Sequence, residues 1–205
     1  CSEQELENYI QKEVTRIPRS ETLNSFSTKI NDVILAFSNV IDADVYVYAQ
    51  VTSPFLKKET IERGLNAVLS GEYDSALSVK VLHDFLWKDE KPFNYNPVDI
   101  ARTQDLEILY QETGGFYIYT KDLIQNYNRR TGFKPYFTEV SEMEAVDIDY
   151  REDYELAQSI VLKDYGRTND AYNISRFRKW VRIAENGGNI SDYFEVFGYK
   201  TCAIY

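Results

Sequence analysis

The sequence predicts an α/β fold: an open, mostly parallel sheet with helices on both faces and a C-terminal helical extension. Two observations predict it. Short apolar runs alternate with amphipathic helical stretches along the first 165 residues, the pattern of an α/β sheet with crossover helices. One of those runs, Val45–Ala49, is nearly continuous in apolar residues, as in a strand covered on both faces.

The elements follow in order. Ser2 and Glu5 form an S-x-x-E capping box, and Leu6, Tyr9, Ile10 and Val14 supply the apolar stripe of a first helix. A second helix is predicted over Thr28–Val40, where Ile30, Val33, Ile34, Phe37 and Val40 recur at helical spacing. The Val45–Ala49 strand runs into a loop, Gln50–Pro54. A third helix spans Lys58–Ser70, with Ile61, Leu65, Val68 and Leu69 on one face and Gly71 as a stop. Leu77, Val79 and Val81 alternate with polar residues and read as a strand. Residues 83 to 112 break the pattern and read as an insertion too long for a plain connection. Gly114–Tyr119 is a strand, followed by a short helix through Leu123 and Ile124, a short strand over Tyr136–Val140, and a helix carrying Tyr154, Leu156, Ala157, Ile160 and Val161.

Beyond about residue 165 the character changes. Tyr172–Glu185 is a basic, aromatic helix, Asn186–Asn189 a breaker, Ile190–Phe197 a further helix, and Thr201–Tyr205 a buried strand. The expected division is 1–165 as the main domain and 166–205 as a helical linker with the first strand of a following domain.

Composition narrows the function. The 205 residues are 43% hydrophobic and 27% charged, which is globular. A formal net charge of -10 argues against nucleic acid or an anionic membrane as partner. No apolar run approaches the ~18–20 residues of a membrane span, and no secretory signal opens the chain. Cys1 and Cys202 suggest neither a disulfide framework nor a metal site, so a reducing, cytoplasmic setting is expected. No G-x-G-x-x-G or G-x-x-x-x-G-K loop occurs among the nine glycines. The only methionine is Met143 and residue 1 is Cys1, so the sequence is expected to be a window from a longer chain.

Three segments can carry chemistry. In Val146–Asp149, read as a strand, Asp147 and Asp149 point to one face, and two carboxylates beside a phosphate suit Mg²⁺. The alternative is a helix cap and a solvated loop acid; Asp153, in the first helical turn, reads as a helix-dipole charge. The second is Gln50–Pro54, at the strand's C-terminal end where such sheets bind ligands. Gln50 offers donor and acceptor groups and Ser53 a hydroxyl; the alternative is ordinary helix capping. The third is Arg102–Asp105, where an arginine fork suits a carboxylate or phosphate and the alternative is a surface ion pair. His83 and Trp87 read as packing residues rather than catalytic ones.

Taken in order, these segments resemble the acylneuraminate cytidylyltransferase family, the CMP-sialic acid synthetases and their relatives. The resemblance rests on DVYVYAQVTSPF from Asp44, DSALSV from Asp74, RTQDL from Arg102, ETGGFYIY from Glu112 and AVDIDYRED from Ala145. It implies a Rossmann-like nucleotidyltransferase sheet and transfer of CMP from CTP to the hydroxyl of an acidic sugar, with release of pyrophosphate. By the same resemblance Asp147 and Asp149 are the catalytic pair that holds Mg²⁺, and Gln50 contacts the sugar. Arg102 and Gln104 lie near its carboxylate, Tyr117 lines the same pocket, and residues 83–110 build a homodimer contact. The departures are a missing basic, Gly- and Ser-containing triphosphate loop, expected upstream of Cys1, Val51 in place of a proline, and Gln111 in place of a basic residue. The fragment by itself is therefore expected to be inactive. The rival readings are a non-catalytic sugar-nucleotide-binding or assembly module, and a nucleotidyltransferase for another sugar acid such as Kdo.

Overall fold

A computed structural model of the chain describes residues 17–25 and 27–165. The expected first helix, and the helices and strand expected after residue 165, lie outside the described residues. Within them the elements are α1 (Ile30–Ser38), β1 (Val45–Ala49), α2 (Lys58–Leu69), β2 (Ser75–Leu82), β3 (Trp87–Lys88) and β4 (Lys91–Pro92). These are followed by β5 (Leu109–Thr120), α3 (Lys121–Tyr127), β6 (Pro135–Glu139) and α4 (Arg151–Tyr165). β3 and β4 form a separate two-stranded hairpin.

The main sheet has the order β1-β5-β2-β6. β2 and β6 are parallel, and β1 and β2 each pair antiparallel with β5. Three strands therefore share one direction and β5, between two of them, runs against it. β5 also begins at Leu109, five residues ahead of the expected Gly114, inside what reads as an insertion. The register shifts between Leu77 and Val79, opposite the Gly114–Gly115 pair. There Ser78 fills the gap: its Oγ accepts from the Phe116 N–H at 3.1 Å and from the Thr113 hydroxyl at 2.8 Å. A β-bulge is thus closed by a side chain where the ladder lapses.

Strand alternation sorts the core into two layers. On one face Tyr46, Leu77, Val79, Tyr117 and Tyr119 pack with Ile34 of α1 and Leu123 and Ile124 of α3. On the other, Ala76, Phe116 and Ile118 pack with Leu56, Val68 and partly buried Ile61 and Leu65 of α2. β5 is buried from Phe116 to Tyr119 because both faces are covered. α3 ends at Asn128, whose left-handed φ of 50° completes the helix C-terminus.

The Val146–Asp149 segment departs from its expected strand. It is irregular chain between β6 and α4, so the alternation argument for Asp147 and Asp149 does not hold. The stretch is placed by a few side-chain and backbone hydrogen bonds instead of a ladder. On α4, Ala157 and Val161 are buried while Leu156 is exposed.

Gly64 marks where α2 comes closest to the sheet. A Cβ there would meet Thr138 Oγ1 at 2.9 Å and Ile118 Cδ1 and Phe116 Cε2 at 3.1 Å. Gly64→Ala should destabilise the chain by about 1–3 kcal/mol through overpacking. The urea midpoint should fall with little change in slope. An unchanged midpoint would show that the helix can shift away from the sheet.

Candidate active site

The Gln50–Pro54 loop leaves β1 still pinned to the sheet. The Gln50 N–H donates to Gly115 O at 2.8 Å, and the Tyr48 hydroxyl donates to Gln50 Oε1 at 2.5 Å. Ser53 is buried, and its N–H donates to Gln50 O at 3.3 Å. Thr52 joins this loop to the acidic segment. Its hydroxyl donates to Asp147 Oδ1, and its carbonyl accepts from the Ile148 N–H at 2.9 Å. Two sequence motifs 95 residues apart are thus held together by one threonine.

Glu144 secures the same segment from below. It is only 5% exposed. Oε1 accepts from the Thr60 hydroxyl at 2.6 Å and the Lys57 N–H at 3.3 Å, both at the start of α2. Oε2 accepts from the Ser141 hydroxyl at 3.0 Å and its N–H at 3.3 Å. Burial pushes the Glu144 carboxyl up. The donors from Thr60, Ser141 and Lys57 outweigh it and hold the carboxyl below its usual range.

Asp149 is exposed, and Asp147 is half-buried. Asp153 accepts from the Asp149 and Tyr150 N–H groups at 3.1 and 2.9 Å. It caps the start of α4, in keeping with a helix-dipole charge. Asp147 and Asp153 line a groove of about 600 Å³ together with Lys80, Met143, Leu156 and Ile160. Among the described residues no set of three or more His, Cys, Asp or Glu gathers as a metal site. Asp147 and Asp149 supply hard carboxylate oxygens, one of them on this groove, and that donor set suits Mg²⁺ completed by phosphate and water oxygens.

Beside the loop lies a tyrosine face. The Tyr48 and Tyr117 rings are 6.2 Å apart. The Tyr117 hydroxyl donates to Glu112 Oε1, and Arg130 sits over the Tyr117 ring at 4.0 Å. Burial pushes the Tyr48, Tyr117 and Tyr119 phenols up, with the Glu112 hydrogen bond adding to the rise at Tyr117. The Arg130 charge works against the rise in all three, and the Asp147 charge adds to it at Tyr48. The phenols remain protonated donors at neutral pH.

The structure therefore brings together Gln50, Ser53, Tyr117 and Asp147, with Asp149 two residues further on. Arg102 and Gln104 stand apart, on an exposed turn at Thr103–Asp105. The Arg102 fork is filled by Asp105, with Nε at 2.6 Å and Nη2 at 3.0 Å. His83 is exposed; Trp87 is also largely exposed, but its ring packs edge-on against Tyr95. Tyr48, Thr52 and Glu112 fall inside segments the sequence marks but without a role of their own there, while Arg130 and Glu144 lie outside every marked segment. Thr52 and Glu144 lie beside the Gln50 and Asp147 motifs, but only long-range contacts reveal their partners.

Residues 1–178 match the family model described as cytidylyltransferase. The chain belongs to the cytidylyltransferase family. This cytidylyltransferase chain is 32% identical over 154 residues to N-acylneuraminate cytidylyltransferase A of Danio rerio, covering 71% of the chain and 36% of that protein. It is 30% identical over 154 residues to N-acylneuraminate cytidylyltransferase of Oncorhynchus mykiss, covering 71% and 35%. It spans about a third of the length of these curated relatives. In fold it is similar to CMP:2-keto-3-deoxy-manno-octonic acid synthetase complexed with CTP, with a TM-score of 0.50 at 11% identity over 68% of this chain and 70% of that one.

The Glu144 carboxyl is lower in the folded chain than its ordinary value of about 4.5. Its contribution to the stability of the cytidylyltransferase fold is therefore full above that pH and is lost as pH falls through the lower folded value. Glu144→Gln should cost about 1–3 kcal/mol at neutral pH. The gap from wild type should close in acid, as read by urea unfolding at a series of pH values. A gap that stays constant down to pH 3 would show that the charge contributes nothing.

Proposed function

We propose that this chain is the catalytic domain of an enzyme that transfers CMP from CTP to the hydroxyl of an acidic sugar of the sialic or related nonulosonic acid type. Pyrophosphate is released. The observation that carries this reading is the Thr52–Asp147 link, which sets a carboxylate-lined groove beside a loop and tyrosine face rich in hydrogen-bonding groups. The relatives named N-acylneuraminate cytidylyltransferase support the same substrate class.

In this reading Asp147 and Asp149 would hold Mg²⁺, which would neutralise charge on the nucleotide phosphate oxygens. Thr52 fixes the rotation of the Asp147 carboxylate through its hydrogen bond to Oδ1. Gln50 is oriented by the Tyr48 phenol, so its amide N–H₂ remains available to a sugar hydroxyl. Tyr117 would line the sugar pocket beside Tyr48, and buried Ser53 would shape the loop. Positioning of this kind lowers the barrier by removing the search for the reactive geometry.

Residues 83–110 are assigned to a homodimer contact. Trp87, Phe93, Val98 and Ile100 are exposed apolar residues on this arm, more than a solvated surface normally carries in one segment. Arg102 and Gln104 lie on the same arm, and in a dimer they would be delivered to the partner's site. No described helix is long and apolar enough to cross a membrane, and a cytoplasmic location suits a nucleotide-using enzyme.

Two outcomes test this. In the full-length protein that carries this chain, Asp147→Ala or Asp149→Ala should lower the rate of CMP-sugar formation by about 100-fold or more, measured as pyrophosphate release from CTP and N-acetylneuraminate. A loss within twofold at Asp149 removes its metal role. Trp87→Asp combined with Phe93→Asp should convert a dimer to a monomer in sedimentation velocity; a dimer that survives both changes places the interface elsewhere.

A further inference from the structure

Arg130 comes from the loop after α3, outside every segment that reads as a motif. Its side chain is 27% exposed. The guanidinium stacks on the Tyr117 ring at 4.0 Å, and Nη2 donates to the Tyr117 hydroxyl at 3.3 Å. Its nearest carboxylate oxygen, Glu112 Oε1, lies 3.8 Å away, beyond hydrogen-bond reach. That oxygen already accepts from the Tyr117 phenol. A guanidinium carries five N–H donors in a fork matched to a carboxylate. Among the described residues no carboxylate fills the Arg130 fork, whereas the Arg102 fork is closed on Asp105.

The loop that carries Arg130 is built into the sheet. The Gly132 N–H donates to Ser75 Oγ at 2.8 Å, and the Phe133 and Lys134 N–H groups donate to the Asp74 carboxylate at 2.6 and 3.1 Å. A Cβ at Gly132 would sit 2.0 Å from Asp74 Oδ1, so the glycine is what lets the loop approach that carboxylate. Arg130 is thereby held in place before any ligand arrives, and little ordering cost remains at binding. It faces the same tyrosine face as Gln50: the Arg130 charge acts on the Tyr48 phenol that orients the Gln50 amide.

We propose that Arg130 is a specificity-determining residue of this site, whose fork receives the carboxylate of the acidic sugar while the Tyr117 ring fixes the guanidinium plane. The inference rests on the CMP-transfer reading above and deepens it. It separates the sugar's acid group, read within the chain by Arg130, from Arg102, whose fork is internally satisfied. Glu112 serves as the positioning residue that turns the Tyr117 phenol and keeps its own charge from closing the fork. A neutral sugar of the same shape would leave the Arg130 fork unpaired, and that penalty is the source of discrimination.

The test is titration calorimetry on the full-length protein that carries this chain, with N-acetylneuraminate, its methyl ester and CTP. Wild type should bind the acid at least tenfold more tightly than the ester. Arg130→Gln should reduce that ratio to within twofold and leave CTP affinity within twofold of wild type. Arg130→Lys, which keeps the charge and loses the fork, should give an intermediate ratio, and it carries the test if the glutamine variant does not fold. A ratio unchanged in the variants overturns the assignment, as does equal weakening of acid, ester and CTP, which marks a merely structural role. Wild type that forms CMP-sugar while Arg130→Gln keeps the full acid preference removes the inference and leaves the CMP-transfer reading standing. Wild type that binds CTP but neither sugar removes both.

Discussion

Glu144 is a buried carboxylate with four hydrogen-bond donors, and the geometry of the site depends on it. Two donors come from the start of α2 and two from Ser141, so one side chain ties a helix on the sheet's far side to the segment leading into Asp147. A charge in that position is costly unless fully paired. Pairing makes it a rigid joint, because any movement of the segment would strand a charge away from water. The irregular chain from 145 to 149 has no ladder of its own. It is held by this joint on one side and by Thr52 on the other. Without both, the Asp147 carboxylate would belong to a mobile loop and lose the positioning that the proposed metal role requires of it.

The second constraint is the direction of β5. Because it runs against its neighbours, Tyr117 is set across from Tyr48 of β1 and Leu77 of β2. Odd-numbered Tyr117 and Tyr119 then share a face with Tyr46 and Tyr48, while Phe116 and Ile118 go to the α2 side. One face thereby collects the β1 and β5 phenols, while the α2 side is mostly aliphatic with Phe116 and partly buried Tyr136. The Tyr48 phenol donates to Gln50 and the Tyr117 phenol to Glu112, with Arg130 stacked on the Tyr117 ring, so these polar groups of the site are ordered as a consequence of closing the core.

The arm from 83 to 110 follows a different logic. It has a two-stranded hairpin with Asp89 and Glu90 at positive φ, and the Phe85 and Trp87 rings both pack against Tyr95. These rings support one another locally, yet Trp87 and Phe93 remain more than half exposed. The described residues leave both rings uncovered, which is the ground on which a homodimer contact is proposed for this arm.

The fold class was legible in the sequence, as were α1, β1, α2, β2, α3, β6 and α4 to within a few residues, since each rests on a local period that burial on one or two faces imposes. Residue type and spacing alone also marked the Gln50 loop and the Asp147–Asp149 pair as segments able to carry chemistry. Three things were decided only by tertiary structure. The reversal of β5 depends on which neighbours pair with it, and an apolar run reads the same in either direction. The acidic pair sits on irregular chain because the partners that hold its segment, Thr52, Thr60 and Lys57, lie more than 80 residues away, and hydrogen bonds over that separation leave no periodic trace. Arg130 reaches Tyr117 only because Asp74 and Ser75 hold its loop against the sheet. Residue type and local spacing determine what a segment can do, while contacts between distant segments determine which of its groups are left free to do it.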